Sequence, residues 1–546
     1  MGSKIKVYKI KSLVNSKNLF LLFSVVLIII YRVSWVPIAH WGVDAAANLW
    51  IGYVYDIPDL KIGLISSQFI PNPNGMMILG KLLSLLGSTR SISIFLTLLN
   101  LFIVFLILQN LFPDKNIDFY MLLFLLGSSV LISSTVVEFW NQWLLLTINL
   151  SLINCLIGYL RHRKPKNLYV CIFLIPLPSF IYLGGLTSSL VFALILSCFI
   201  FSEYRTSFKN LLLFSTFGAV TLFIYWRITF SSFFIQVPFQ RLSELNTLSI
   251  YDRLKYLMNN ILNLPDALLN IWSTKDKLVI LRIDLPVLEK LTTQLIEIFY
   301  QFHKIIPLFV IGVFLIGVLS YLLNGLKLDN SILNKSLALV ISFISLSLVL
   351  SPIYGGPDYL IIQERDDNLN QFYPYYILMW YLLPMLFSKM NYYKFVNPIS
   401  KIVFTIFIIL NTLTGIYIVK DNIEFQETLN TNVEAPLSDN IDVVNFIASE
   451  WLSTSGEKEL FVEYKVFVKD MSWVNKYTNE LGKYYKPSPY TEGRLLDYEL
   501  LKVHELTNIK NSGEPDFIVT NIFDPPPKFK ERVPKHTLIG RLRVSQ

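Results

Sequence analysis

Long uninterrupted apolar segments recur along most of this chain, and they limit its fold more than any other feature. Windows of about 18 or more residues are each long enough to cross a hydrocarbon layer of about 30 Å as a helix. The segments are continuous rather than alternating, which excludes β-strands as the spanning element. Of the 546 residues, 53% are hydrophobic and only 16% are charged. The sequence therefore predicts an all-α polytopic membrane protein.

Eleven segments are predicted to span the membrane as helices. They cover about 18–38, 91–112, 118–137, 140–160, 168–184, 186–202, 210–230, 304–323, 336–353, 374–388 and 398–420. The first 17 residues contain five lysines and no acid, which predicts a cytoplasmic N-terminus by the positive-inside rule. The odd number of spans then predicts an extracytoplasmic C-terminus. The loop at 161–166, with four basic residues and no acid, falls on the cytoplasmic side as the rule requires.

The pair of spans at 168–184 and 186–202 has an alternative interpretation. Pro176, Pro178 and the pair Gly184-Gly185 interrupt this region. If the region were a single span, every later segment would change sides, including the C-terminus.

Three segments are predicted not to span. The loop 39–90 contains a short apolar helix at about 75–87, which is too short to cross and suits the membrane interface. The loop 231–303 mixes basic and apolar residues, and it forms part of a transmembrane domain 1–420. Residues 421–546 are predicted to form a small α/β extracytoplasmic domain, with a helix at 439–453 capped by Ser438 or Asp439 and strands at 460–467 and 517–523.

The formal net charge of +8 is unevenly distributed. Residues 421–546 carry −5, whereas the first 420 residues carry +13. Basic groups beside membrane spans determine topology and contact anionic lipids. The charge therefore predicts membrane lipids, and not nucleic acid, as the partner.

Asp44 is the strongest candidate for chemistry. The chain contains no P-loop, no dinucleotide-binding glycine motif, no HExxH and no CxxC, and five histidines make a multi-histidine metal site a poor prediction. Asp44 follows the first apolar segment directly, where a span leaves the membrane. Partial burial there would raise the pKa of a carboxyl and suit it to act as a base. The same position also suits a topology charge or a helix cap.

Five further residues are candidates for binding a substrate, and each also has a structural interpretation. Arg365 offers a fork of donors for a phosphate, although it lies in an ordinary charged loop. Tyr373 belongs to an aromatic run that also suits a membrane-interface belt. Glu138 lies beside tryptophans that suit either sugar stacking or interface anchoring. His40 could contact a phosphate or a metal, or could be an interfacial side chain with no such role. Asp56 lies in a sequence typical of a turn.

The motif Gly42-Val43-Asp44 resembles the GT-C superfamily of integral-membrane glycosyltransferases, which includes the protein mannosyltransferases and the bacterial aminoarabinose transferase. That family has an Asp, usually followed by Glu, just after its first span. Here Ala45 follows Asp44. The segment 69–79 resembles the proline-containing start of the family's interfacial helix, without the His or paired prolines of some members.

A second part of the resemblance lies late in the chain. Arg365, the aromatic run that includes Tyr373, and Tyr381-Leu382-Leu383-Pro384 resemble the family's late Arg and Tyr-Leu-Leu-Pro pattern, with a longer gap. The resemblance implies transfer of a sugar, with inversion, from a polyprenyl-phosphate-linked donor at the outer face of a prokaryotic cytoplasmic membrane. Asp44 would be the base that activates a lipid, glycan or protein acceptor, or would help to hold a metal, and Arg365 would contact the donor phosphate. The resemblance leaves the cofactor unknown, because some members of the family use a divalent metal and others do not.

Three other functions remain open on the sequence. A transporter or flippase for lipid-linked substrates usually places polar groups in the middle of the membrane, whereas the acids here gather near span ends. A polysaccharide polymerase or ligase also uses a large external loop, which the loop 231–303 could supply. A plain membrane anchor for the C-terminal domain would not need eleven spans.

Overall fold

The computed structural model describes a helical bundle and a mixed C-terminal unit. The described residues are 16–39, 41, 43–60, 62–64, 72–111, 139, 141–182, 185–204, 207–228, 251, 255, 416, 419, 436–465, 485, 493–509, 514–522, 527, 535–540 and 542–546. Apart from the isolated positions in them, the loop 231–303 and the predicted spans at 118–137, 304–323, 336–353, 374–388 and 398–420 lie outside these residues.

Helices occupy the other six predicted spans. The helices of the bundle are α1 Ser16–Val33, α2 Val43–Val54, α3 Gly75–Leu83, α4 Thr89–Leu111, α5 Asn141–His162, α6 Pro165–Leu174, α7 Leu177–Ile181, α8 Gly185–Tyr204 and α9 Phe208–Ile228. Within the described residues, three helical segments are long and apolar enough to cross a membrane: Thr89–Ile107, Leu144–His162 and Phe208–Tyr225. Shorter apolar helices cover Val25–Ile38, Pro165–Ile181 and Ser188–Cys198.

Contacts between helix ends cluster at the two opposite ends of the bundle, and they show the direction in which each helix runs. At one end, Arg161 donates to the carbonyl of Gln109 at 2.6 Å, and the hydroxyls of Tyr159 and Tyr204 lie 3.0 Å apart. Helices α4, α5 and α8 therefore finish together, beside the basic loop 161–166.

At the other end of the bundle, the first loop contacts the helices that return. Gly75, at the start of α3, lies so close to Phe180 of α7 that an added Cβ would be 2.1 Å from the Phe180 carbonyl oxygen. The Asn74 amide donates to the carbonyl of Ile228 at 3.4 Å, at the end of α9. Helices α6 and α7 thus form one passage and α8 another, which favours two segments over one in this region.

The first loop contains two short helices that cross closely. The apolar helix predicted at 75–87 is α3 followed by a 3₁₀ turn, Ser84–Leu86. Its final turns expose Leu82, Leu85 and Leu86, as expected for an interfacial helix. Before it, α2 packs on α3 through glycine, because an added Cβ on Gly52 would be 2.1 Å from the Met77 carbonyl oxygen.

The C-terminal unit packs two helices on a sheet. Its elements are α10 Leu437–Thr454, β1 Glu459–Leu460, β2 Val462–Lys465, α11 Arg494–His504, β3 Thr507–Asn508, β4 Phe517–Asn521, β5 His536–Ile539 and β6 Leu542–Ser545. The four-stranded sheet has the order β2-β4-β6-β5, parallel at β2–β4 and antiparallel elsewhere, and β1 pairs with β3 in parallel. The core of this unit includes Val443, Ile447, Leu500 and Val519.

Two details of the C-terminal unit differ from the sequence prediction. Helix α10 begins at Leu437 after Pro436, without a side-chain cap, so the predicted capping role of Ser438 or Asp439 is wrong. The strand predicted at 460–467 is divided at Phe461, whose N–H donates to the Asp516 carboxylate at 2.7 Å. The predicted domain boundary at 420 lies outside the described residues.

Candidate functional site

Asp44 lies in the first turn of α2, after the 3₁₀ turn Val36–Ile38 that follows α1. The preceding Trp41 is fully buried and fixes this position. Its indole N–H donates to the Ser93 hydroxyl of α4 at 3.1 Å, and its ring packs on that of Phe139 with centroids 6.2 Å apart. The start of α2 is therefore attached to the bundle near the first turns of α4.

Burial raises the pKa of the Asp44 carboxyl from 3.8 to about 6. The side chain is half-buried, and loss of water destabilises its charged form. The positive end of a helix dipole favours an anion in the first turn, but desolvation outweighs it here. A carboxyl with a pKa near 6 is mostly ionised at neutral pH and is basic enough to accept a proton during a reaction.

Asn48 shares a helix face with Asp44 and was not among the predicted site residues. Its side-chain N–H donates to the Asp44 carbonyl at 2.9 Å. Its amide oxygen is buried and has no hydrogen-bond partner within the described residues. Such a group costs about 1–3 kcal/mol, and a hydroxyl donor would satisfy it. The sequence does not predict that Asn48 could accept a hydrogen bond from a substrate hydroxyl, because an Asn inside a short helix is ordinary.

Asp56 lies at the opposite end of α2 from Asp44. The helix has 12 residues, which corresponds to about 18 Å along its axis. The Asp56 carboxylate pairs with Lys81 of α3 at 3.0 Å, and its side chain is 81% exposed. The structure therefore does not bring these two acids together. The ion pair of Asp56 with Lys81 instead connects the end of α2 to α3.

The other predicted site residues, His40, Glu138, Arg365 and Tyr373, lie outside the described residues. The chain neighbours of His40, which are Ala39 and Trp41, are buried. Phe139, which follows Glu138, is the residue that packs on Trp41. Within the described residues, no group of three or more His, Cys, Asp or Glu side chains is placed to hold a metal ion.

The C-terminal unit lies directly against the loop that carries Asp44, which the sequence did not predict. The N–H of Leu437 donates to the Ala39 carbonyl at 3.1 Å. The hydroxyl of Tyr485 donates to the Ile62 carbonyl and accepts from the Ile62 N–H. These contacts connect residues about four hundred positions apart, and side chains of α11 extend them toward α2 and α4.

Comparison with known proteins leaves the family open. No family model matches the chain, and no curated protein matches it. Among solved structures, one that matches is the crystal structure of ArnT from Cupriavidus metallidurans bound to undecaprenyl phosphate, at 10% identity. The match covers 96% of this chain and 97% of that chain, with a TM-score of 0.38. Because this score is too low to establish a shared fold, the function of this chain has to be inferred from its own residues.

Proposed function

We propose that this chain is a membrane glycosyltransferase that moves a sugar from a polyprenyl-phosphate-linked donor to a lipid, glycan or protein acceptor. The reaction takes place at the outer face of the cytoplasmic membrane. The observation that carries the proposal is Asp44, a carboxyl with a pKa of about 6 in the first turn of α2, after the first predicted span. Ordinary topology charges are solvated and lack such a shift.

In the proposed reaction, the Asp44 carboxylate takes the proton of an acceptor hydroxyl. The acceptor oxygen forms a bond to the anomeric carbon of the sugar while the bond from that carbon to the phosphate oxygen breaks. Polyprenyl phosphate leaves with the electron pair, and attack from the opposite face inverts the anomeric centre. Asp44 is half-buried, which limits competing attack by water.

The remaining predicted residues have binding roles in this proposal. Arg365 contacts the donor phosphate, for which its guanidinium fork is suited. Glu138 and His40 contact the sugar or acceptor near Asp44, and Tyr373 contributes an aromatic surface. Asp56 binds substrate only at the far end of α2, so we expect its variants to affect binding less than those of Asp44.

The interior of the bundle gives less support to a transporter or flippase. Among the described residues of the bundle, Arg32 near the end of α1 is the one buried charged side chain. Neutral side chains deeper in the bundle bond one another between helices: Asn100 to Thr147 at 3.2 Å, and Asn149 to Ser188 at 3.3 Å. Such pairs hold membrane helices together. Transport pathways usually contain charged groups in broken helices. A polymerase or ligase remains the alternative that the loop 231–303 would serve.

Replacement of Asp44 by Asn tests the proposal, with Asp59→Asn as the matched control. Asp59 is an exposed acid of the same loop. Each purified protein is reconstituted with a panel of radiolabelled undecaprenyl-phosphate hexoses and pentoses and a membrane extract as acceptor source. We expect transfer by the native protein and Asp59→Asn, and loss of at least about a hundredfold for Asp44→Asn. Undiminished transfer by Asp44→Asn at normal protein levels would remove Asp44 from the mechanism.

A further inference from the structure

Helix α11 of the C-terminal unit holds the helix that carries Asp44. The Arg494 guanidinium lies 4.0 Å from the ring centroid of Trp50 on α2 and pairs with Asp497 at 2.6 Å. One turn later, the ring of Tyr498 packs edge-on against Tyr53, with centroids 5.6 Å apart. A stacked Arg that is also paired with a carboxylate is a geometrically specific contact. Helix α2 is therefore fixed between α3 on one side and α11 on another.

The same helix also binds the junction between α3 and α4. The Tyr498 hydroxyl donates to the Gly87 carbonyl at 2.6 Å. The adjacent Glu499 carboxylate accepts from the Thr89 N–H at 2.6 Å and from the Thr89 hydroxyl. Thr89 is the first residue of a 23-residue helix. Glu499 thus supplies, from a distant part of the chain, the acceptor that a helix N-terminus requires.

The burial of these groups distinguishes the contact from a loosely tethered domain. Arg494 is 4% exposed, Asp497 7% and Glu499 3%. Burial raises the pKa of Glu499, and its hydrogen bonds to Thr89 oppose that shift. Removing one partner of such a buried polar set is strongly destabilising locally. Flexible domain pairs instead meet through wetter, more polar surfaces.

We propose that α11, through Tyr498 and Glu499, is a positioning element of the catalytic site, so that the C-terminal unit sets the location and burial of Asp44. The inference rests on the proposed transfer reaction. Neither residue lies at the start of α2, and each acts through the packing of α2 and α4. Displacement of α11 releases α2, and water then reaches Asp44.

The test compares Glu499→Gln and the milder Tyr498→Phe with a matched control, Glu505→Gln. Glu505 is an exposed acid at the end of the same helix, paired with Lys458 at 3.4 Å. Hydrogen exchange of the full-length protein measures the local stability of 43–60 and 494–504 without reference to activity. We expect faster exchange in both segments for the two test variants and native exchange for Glu505→Gln. Unchanged exchange in 43–60 would overturn the inference.

Kinetics supply the second readout. We expect kcat of the test variants to fall about ten- to a hundredfold with KM unchanged. We also expect the acid-side midpoint of the pH–rate profile to move below the native value as Asp44 gains water. Normal kcat and a native midpoint, despite faster exchange in 43–60, would overturn the positioning role. The exchange result stands independently of Asp44→Asn, whose undiminished transfer would overturn the proposed function alone.

Discussion

At the scale of single residues, Asp44 is defined by what surrounds its carboxyl. It occupies the first turn of α2, beside the buried Trp41 and one turn from Asn48. The sequence was sufficient to select Asp44, because an acid that directly follows the first apolar segment can be recognised from the sequence alone. The same position led us to expect a raised pKa, which burial of the carboxyl gives. The sequence could not predict the buried amide oxygen of Asn48, because its surroundings depend on packing between helices that no local pattern encodes.

Asp44→Asn is expected to stabilise the protein at neutral pH. The folded-state pKa lies above the ordinary value of 3.8, so the folded state binds the proton more tightly and loses stability as pH rises from about 4 to about 6. The difference corresponds to at most about 3 kcal/mol. Thermal unfolding in detergent should show a higher Tm for Asp44→Asn at pH of about 7.5, with the gain shrinking near pH of about 4.

Asp59→Asn is the control for this measurement, because the Asp59 side chain is exposed. Its Tm should stay within about a degree of the native value, since exposed surface substitutions change stability little. An Asp44→Asn protein that is equally stable or less stable than the native protein at neutral pH would contradict the burial described for Asp44.

At the scale of elements, the crossing of α2 and α3 depends on glycine. The nearest atoms to a Cβ added at Gly52 belong to the backbone of Met77 and Lys81, and a Cβ added at Gly80 would lie 2.9 Å from the Asn48 carbonyl oxygen. Backbone atoms cannot rotate away as a flexible side chain can. The position of Asp44 therefore follows from a close helix–helix contact that excludes side chains.

Gly52→Ala should force α2 and α3 apart. We expect destabilisation of about 1–3 kcal/mol, typical of overpacking, observed as a lower Tm and faster hydrogen exchange in 43–60. Gly218→Ala is the matched control in α9. There the nearest atom to an added Cβ is the Ile172 Cγ2, at 3.8 Å. Because Ala is a better helix former than Gly, that variant should be as stable as the native protein or slightly more so. Equal stability of both variants would contradict the crossing.

The elements also show where sequence patterns succeed. The sequence predicted α3 as a short apolar helix, because a short apolar run between turn signals is compatible with few other structures. The start of α10 was misplaced, since Pro436 rather than a side-chain cap precedes its first turn. The division of the predicted strand at Phe461 arises from hydrogen bonds with Asp516, a residue far away in the sequence.

At the scale of the whole molecule, the described helices have two distinct ends. The end near Asp44 bears the first loop and the C-terminal unit, and the opposite end bears the basic loop 161–166. The charge pattern predicted this separation, and the prolines at 176 and 178 left the number of passages ambiguous. The docking of α11 could not be predicted, because it joins residues 410 positions apart.

Labelling of single cysteines tests this arrangement. In a protein whose three native cysteines are replaced by Ser, Lys164→Cys reports on the basic loop and Glu457→Cys on the C-terminal unit, and both positions are exposed. By the positive-inside rule, a membrane-impermeant maleimide added to intact cells should label only Glu457→Cys. Lysed cells provide the control, in which both should react. Labelling of both positions from one side of intact membranes would contradict the two-ended arrangement.

The pH dependence of sugar transfer tests the central claim most directly, because it reports the protonation of Asp44 during the reaction. The carboxyl acts as a base only when it is ionised, so kcat/KM should rise with pH and reach half its maximum at about 6. This rise should be missing from the residual activity of Asp44→Asn. A profile that is flat above pH of about 5, or a native rise that persists in Asp44→Asn, would contradict the account.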